Sequence, residues 1–338
     1  MAKKIILKDI AEHANVSIAT VSQVLSDSGR ISEDTRLLVN KAIEELGYRQ
    51  KIRKKPTTVA VLVSLDQRMS HLWYFLRGFI ASLENNLQEK GYKTVLIPFH
   101  TYQNPKEIYE KLMEVNTSAI IVFHYGTQEM LSYFEKQGIQ VFVIMDNHFE
   151  DHYATVGNDD FQGAYDAVNY LISLGHKKIA FVGEEQPLVL STAKDRLYGF
   201  QKALEENGLE YHNEASISFS EKDTLVDVKR KIKERQVGKF VPTAYYCLHD
   251  ILGFDMYQGA IQNGLSIPEA FSIIAAGDTL NYIATSNPQI TTMRSQTDHM
   301  GVIASEMIQR NIEKGKDTIN MVLKVKQKLV ERGSCKRI

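Results

Sequence analysis

Residues 6–48 constrain this chain most. They read as three short helices in close succession, ILKDIAEHA, NVSIATVSQVL and SEDTRLLVNKAIEELGY. Ile10 and Ala11 form the inward side of the first. Asn15, which tolerates the left-handed conformation, marks the turn that follows. Ser17 is placed to cap the second helix by accepting from backbone N–H groups two or three residues on. Val21, Val24 and Leu25 recur at helical spacing and make its buried side. Ser32 caps the third helix, Glu33 and Asp34 sit on its positive end, and Gly47 stops it. The pattern predicts a helix-turn-helix with a supporting third helix, a unit that lays one helix against DNA. A small three-helix domain that binds protein is the alternative.

The exposed face of the second helix favours DNA. Ser17, Thr20 and Ser22 offer short hydroxyls to phosphate oxygens. Ile18, Ala19 and Gln23 are left to meet base edges, where a glutamine bonds adenine bidentately. Residues 1–58 carry 11 Lys and Arg against 7 Asp and Glu, a net of +4. The whole chain is −1, so the other 280 residues hold −5. A basic reading head on an acidic body is expected, with double-stranded operator DNA as partner.

Beyond residue 57 the chain alternates apolar β-branched runs with amphipathic stretches. TVAVLVSL, KTVLIPF, SAIIVFH and VFVIM are nearly continuous apolar runs, the mark of buried parallel strands. The pattern restarts with KIAFVG, ASISF, TAYYCL and FSIIAAG. Two such sets predict two doubly wound α/β lobes that place ligands at the carboxyl ends of their strands, in a cleft between them.

The segments LKDIAEHANVSIATVSQVLSDSGRISEDTR, VGNDDFQGAYDAVNYLISLGHKKIAFVG, DRLYGFQKAL, PTAYYCLHDILGFDMYQGAIQNGLSIPEAFSII and ITTMRSQTDHMG occur in that order. In composition and spacing they resemble the LacI/GalR-type transcriptional repressors over nearly the whole chain. The resemblance implies a small all-α head followed by a two-lobed α/β body binding a small, carbohydrate-like effector. On this reading the head spans 1–48 and the body 58–338, and residues 49–57 make a short basic linker in which the hinge helix is shortened or absent. The resemblance also implies three crossings between the lobes, expected near 156–175, 288–294 and 318–323. Lobe one is then about 58–174 plus 292–320, and lobe two about 175–291 plus 321–338.

The same resemblance marks candidate effector contacts. Arg196 matches the arginine of the family's RLxGFxxAL signature, with a surface ion pair to Asp195 or Glu206 as the alternative. Asp159 follows the VG step and is either an acceptor for sugar hydroxyls or a helix cap. His71 and Trp73 occupy the place of the loop and helix start after the first body strand, Trp73 alternatively serving the core or a dimer contact. His249 and Asp278 lie at two further strand ends. A homodimer is expected, with the helix after the first body strand and residues 284–293 at its interface.

Two departures from the family pattern stand out. The usual Asn-Asp pair is here His249-Asp250, and the usual GFDD is AAGD over residues 275–278, so Gly277 replaces a carboxylate. Its loss favours an effector that is bulkier there or anionic. The family also places a hinge helix with a wedging leucine between head and body. Here RQKIRKKPTT contains no AxxL pattern, Pro56 ends any helix, and five basic residues crowd it. Arg49, Lys51, Arg53 and Lys54 are expected to touch phosphates from an extended tether, bending operator DNA less than a hinge helix does. A merely solubilising linker is the alternative.

Composition and missing motifs narrow the rest. The chain has 338 residues, 43% hydrophobic and 24% charged, enough for a head and a two-lobed body. The amino terminus runs directly into an amphipathic helix, so no signal peptide, no membrane span and a cytoplasmic location are expected. Two cysteines, Cys247 and Cys335, have no metal spacing and fit a reducing compartment. No GxxxxGK[ST], GxSxG, HExxH or CxxC pattern occurs, which argues against an enzyme, a metal and a cofactor. His148 and His152 read as surface histidines. The leading reading is an effector-responsive repressor; the alternative is a DNA-binding regulator whose body meets a protein partner.

Overall fold

The computed structural model describes residues 7–25, 31–46, 58–65, 72–123, 126–185, 191–220, 222–278, 289–314 and 320–338. These form two compact units, Met1–Pro56 and Thr57–Ile338.

The first unit holds α1 (Leu7–His13), α2 (Ile18–Leu25) and α3 (Glu33–Glu45). Its core is Ile10, Ala11, Val21, Val24, Val39 and Ala42, so the inward faces lie where helical spacing puts them. Asn15 turns between α1 and α2 at φ 51°. The Oγ of Ser17 accepts from Thr20 N at 3.0 Å, and that of Ser32 from Thr35 N at 3.4 Å, which caps α2 and α3. His13 Nε2 meets Glu45 Oε2 at 2.8 Å and ties the end of α1 to the end of α3. The Leu25 side chain and Gly47 lie outside the described residues.

The second unit contains two six-stranded sheets, each flanked by helices. The chain runs β1 (Thr58–Ser64), α4 (Leu72–Glu89), β2 (Lys93–Phe99), α5 (Pro105–Glu114), β3 (Thr117–Phe123), α6 (Gln128–Lys136), β4 (Gln140–Ile144) and β5 (Ala154–Asn158). It continues through α7 (Asp160–Ser173), β6 (Ile179–Glu184), α8 (Ser191–Glu206), β7 (Ile217–Phe219), α9 (Leu225–Arg235) and β8 (Ala244–Cys247). Then come α10 (Asp250–Gln262), β9 (Ser272–Gly277), β10 (Thr291–Arg294), α11 (Thr297–Lys314), β11 (Val322–Val325) and β12 (Lys328–Val330). Strand order is β11-β5-β4-β3-β1-β2 in the first sheet and β12-β10-β9-β8-β6-β7 in the second. All pairings are parallel except β10 with β12.

Every residue of β1, a central strand, is buried, as its unbroken apolar run requires. β2 differs from the expectation of a fully buried strand. It lies at the sheet edge, where Lys93, Leu96 and Pro98 are exposed and Ile97 and Phe99 face the core. Pro98 has no N–H to give a neighbour, which suits an edge. β10, β11 and β12 are too short and polar to announce themselves; pairing with longer strands makes them.

The lobes divide differently from the sequence expectation. Helix α7 belongs to the second lobe, because Ala164, Ala167, Val168 and Leu171 pack with Ile179, Phe200 and Tyr246. Strand β10 also joins the second sheet, whereas α11 and β11 return to the first lobe. The crossings therefore fall between Asn158 and Asp160, between Arg294 and Thr297, and between Val325 and Lys328. The expected crossings at 288–294 and 318–323 come several residues too early, and the first lobe ends near 158 rather than 174.

What draws α7 into the second lobe is a close approach to α8. A Cβ built on Gly199 would lie 2.1 Å from the Phe161 carbonyl oxygen and 3.1 Å from the Ala164 Cβ. Backbone cannot swing aside as a side-chain tip does. Gly199→Ala is expected to destabilise the body by about 1–3 kcal/mol through overpacking, despite the better helix propensity of alanine. Urea unfolding monitored by tyrosine fluorescence reads this, and a gain in stability would contradict the packing described.

Both cysteines are free thiols. Burial raises Cys335 to about 11 and holds Cys247 well above the ordinary thiol range, so neither ionises near neutrality. Among the described residues no helix is long and apolar enough to cross a membrane. No cluster of three His, Cys, Asp or Glu side chains able to hold a metal occurs among them either.

Candidate DNA-reading helix and effector cleft

In the first unit, α2 presents Ser17, Ile18, Ala19, Ser22 and Gln23 to solvent, with Thr20 half-buried and Val21 and Val24 inward. Ile18 is 49% exposed and so is open to contact from outside the head. The Ser17 and Thr20 hydroxyls lie 2.8 Å apart within the cap. Each therefore already has a partner on the helix. Arg49, Lys51, Arg53 and Lys54 lie outside the described residues.

In the second unit, the carboxyl ends of the strands of the second sheet gather most of the remaining candidates. Arg196 on α8 has a side chain only 12% exposed. Its Nε and Nη2 donate to Asp160 Oδ1 at 2.8 and 2.7 Å, and its Nη1 donates to the Leu248 carbonyl at 2.7 Å. A surface pair with Asp195 or Glu206 is thereby excluded. Asp195 accepts from Asn147 instead, and Glu206 accepts from Tyr165. Burial pushes the Asp160 carboxyl up against the pull of Arg196. Burial also works against the charge of Arg196, but Asp160, Tyr246 and Asp250 outweigh it and hold the guanidinium above its usual value. With three donors, including Gln327 Nε2 at 3.0 Å, converging on one oxygen, the pair is ionised. The other oxygen, Asp160 Oδ2, is buried without a partner among the described residues, as is the Tyr246 hydroxyl.

Asp159 caps α7 and accepts from Gln162 N at 3.2 Å, the local role open to it in the sequence. His249 caps α10. Its Nδ1 accepts from Leu252 N at 3.4 Å, so the ring N–H is Nε2, directed at Glu184 Oε1 3.1 Å away. Asp278 is 4% exposed and gripped by Arg294 and Arg332. His71 lies outside the described residues, as does the side chain of Trp73.

The three crossings are laced together beside this edge. Asn158 Nδ2 donates to Ser295 Oγ at 2.9 Å, Asp159 N to Val325 O at 3.0 Å, and Gln296 Nε2 to Lys326 O at 2.7 Å. Farther out, Asn147 Nδ2 of the first lobe donates to Asp195 Oδ2 of the second at 2.6 Å. Asp195 also helps hold up the Glu150 carboxyl, which burial raises most and Lys324 lowers. Arg196 thus stands between a hinge, through Asp160 and Gln327, and the lobe-bridging contact of its neighbour Asp195.

Sequence reasoning singled out Arg196 but not Asp160, its partner. The third residue of NDD was the available signal, the only acid there left without a role. Nothing in the sequence marked Arg294 and Arg332 as partners of Asp278, because they come from 16 and 54 positions away.

A three-helix reading unit and a two-lobed body with a laced hinge define a helix-turn-helix regulator of the kind that carries a ligand-binding body. Residues 6–51 match the bacterial regulatory proteins of the lacI family, and residues 168–335 match the periplasmic binding protein-like domain. The chain thus joins a lacI-family DNA-binding head to a periplasmic binding protein-like body, the arrangement of LacI-type regulators. It is 29% identical over 338 residues to the HTH-type transcriptional repressor PurR of Photorhabdus laumondii, covering 97% of this chain and 96% of that one. The PurR repressor of Pasteurella multocida is also 29% identical, with 98% of both chains covered. Among solved structures, a CelR–cellobiose complex superposes with a TM-score of 0.70 at 23% identity, over 98% of this chain and 100% of that one. The lac repressor dimer bound to operator and the anti-inducer ONPF gives 0.67 at 19% identity, over 98% and 99%. An Enterococcus faecium LacI family regulator with bound ribose gives 0.66 at 22% identity, over 83% and 99%.

Proposed function

We propose that this protein is a repressor that reads operator DNA through α2 as a homodimer in the cytoplasm and is controlled by a small effector held between its lobes. The effector is a sugar or sugar derivative. Structurally similar regulators described with cellobiose and ribose support that class. One observation carries the reading. Arg196 is fixed by Asp160 and the Leu248 carbonyl at the strand ends, with three of its five N–H donors engaged and two remaining for a ligand. Side chains preset in this way bind without paying further ordering entropy.

Asp159 and His249 flank Arg196 at the same edge, and Asp278 contributes through its arginines. On the head, Ile18, Ala19 and Gln23 meet base edges, while Ser17, Thr20, Ser22 and the basic residues of 49–55 meet phosphates. Two heads reading half-sites one helical turn apart give the specificity that one short helix lacks. A dimer at operator is how the lac repressor is described, and the exposed β2 edge with Leu96 is available for such an interface.

The test selects the operator from random duplexes and then titrates it with and without sugars, sugar phosphates and sugar acids. A ligand that stabilises the body and also shifts operator affinity supports the reading. Tight operator binding that no stabilising ligand alters would favour a body serving a protein partner.

A further inference from the structure

We propose that Arg294 receives an anionic group of the effector, a carboxylate or a phosphate. This rests on the small-molecule cleft described under the proposed function and specifies the chemistry it accepts.

Asp278 holds two guanidinium groups where one balances its charge. Arg332, 11% exposed, donates to Asp278 Oδ1 at 2.6 Å, to the Ile290 carbonyl at 2.7 Å and to Thr292 Oγ1 at 3.1 Å. It is built into the sheet and neutralises Asp278 by itself. Arg294 touches the same carboxylate through Nε alone and is 44% exposed. Its Nη1 and Nη2 have no hydrogen-bond partner among the described residues. Arg294 is the last residue of β10 and pairs with Gly277, the last of β9. Both therefore lie at the carboxyl edge where parallel sheets take ligands. The next residue, Ser295, accepts from Asn158 across the hinge.

Gly277 removes the group that would oppose an anion there. Its φ is 119°, a conformation that side-chain-bearing residues rarely adopt, and a Cβ on it would come within 3.4 Å of Asp250 Oδ1. An aspartate at 277 would be both strained and pressed against a second carboxylate. The nearby acids are already engaged: Glu184 faces His249 at 3.1 Å, and Asp250 is buried within the field of Arg196. The outer guanidinium edge of Arg294 is a planar two-donor fork, which matches carboxylate or phosphate oxygens better than a lone sugar hydroxyl.

The test uses the full-length protein in thermal-shift and calorimetric titrations. Glucose is compared with glucose 6-phosphate and glucuronate, and ribose with ribose 5-phosphate and ribonate; inorganic phosphate and sulfate separate a general anion effect. The expected result is that one anionic member binds where its neutral parent does not. Arg294→Gln should weaken that binding about tenfold or more, and Arg294→Lys less so. Because Arg332 still neutralises Asp278, the unliganded melting temperature of Arg294→Gln should stay near that of the wild type. The phosphate and acid arms identify which anion is taken. A neutral sugar that binds as tightly as its anionic counterpart, with Arg294→Gln unaffected, overturns the proposal and leaves the small-molecule cleft intact. Stabilisation by phosphate or sulfate as strong as by any sugar anion also overturns it. Binding by no member of the panel removes the support from both readings.

Discussion

Arg196→Met should destabilise the body by about 3–5 kcal/mol, the cost of leaving one member of a buried ion pair without the other. Asp160 has no exposed surface to its side chain, and only Gln327 would remain to donate to it. The Leu248 carbonyl would also lose its donor. Asp160→Asn should cost a similar amount, because it leaves the buried Arg196 guanidinium without its counter-charge. The double variant Asp160→Asn with Arg196→Met should cost clearly less than the sum of the single changes, because the second removes a group already orphaned by the first. Chemical denaturation of the four proteins measures this directly. Additive losses would mean that the contact between α7 and α8 is held by packing alone. The same pair sits beside the hinge, so Arg196→Lys, which keeps the charge but not the fork, should fold yet lose effector response.

The second large effect concerns DNA sequence. Gln23 is exposed on α2, and glutamine pairs with adenine where arginine pairs with guanine. Gln23→Arg should therefore move the preferred base at one operator position from adenine to guanine, with discrimination changing by about 1–3 kcal/mol. Selection from a random duplex library, performed in parallel on both proteins, reports the change. An identical preferred sequence would show that Gln23 does not read a base. Because Val21 and Val24 keep α2 seated in its core, the substitution should leave the head folded.

Most of the architecture was legible because it depends on local patterns. Helical spacing in α1 to α3 defined the faces that pack, Asn15 and Ser17 marked the turn and cap, and unbroken runs such as that of β1 gave the central strands. The lobe boundaries were not legible. Whether α7 packs with the strand before it or the helix after it depends on Gly199, a residue far along the chain whose bareness permits one contact. The short strands β10 to β12 carry little apolar signal and exist through their partners. In the cleft, single residues with motif positions were visible, Arg196, Asp159 and His249 among them. Their partners were not, because Gln327 reaches Asp160, and Arg294 and Arg332 reach Asp278, from segments far along the chain. Two local roles did decide themselves by geometry. Asp159 and His249 both cap helices, so any ligand contact they make is added to a structural duty.

These roles bear on how a signal leaves the cleft. A ligand drawing Arg196 and Arg294 toward the first lobe would act on residues bonded to all three crossings, through Asp160, Gln327 and Ser295. Coupling of binding sites in such proteins is typically about 1–3 kcal/mol, within the scale of a few hydrogen bonds gained or lost at a hinge.

The most direct measurement is the affinity of full-length protein for its selected operator by fluorescence anisotropy, with and without a ligand that stabilises the body, at fixed salt. If the cleft controls α2, operator affinity should change by roughly 5- to 150-fold with wild-type protein, and little with Arg196→Lys despite an intact head. Equal operator affinity with and without every stabilising ligand would contradict that control.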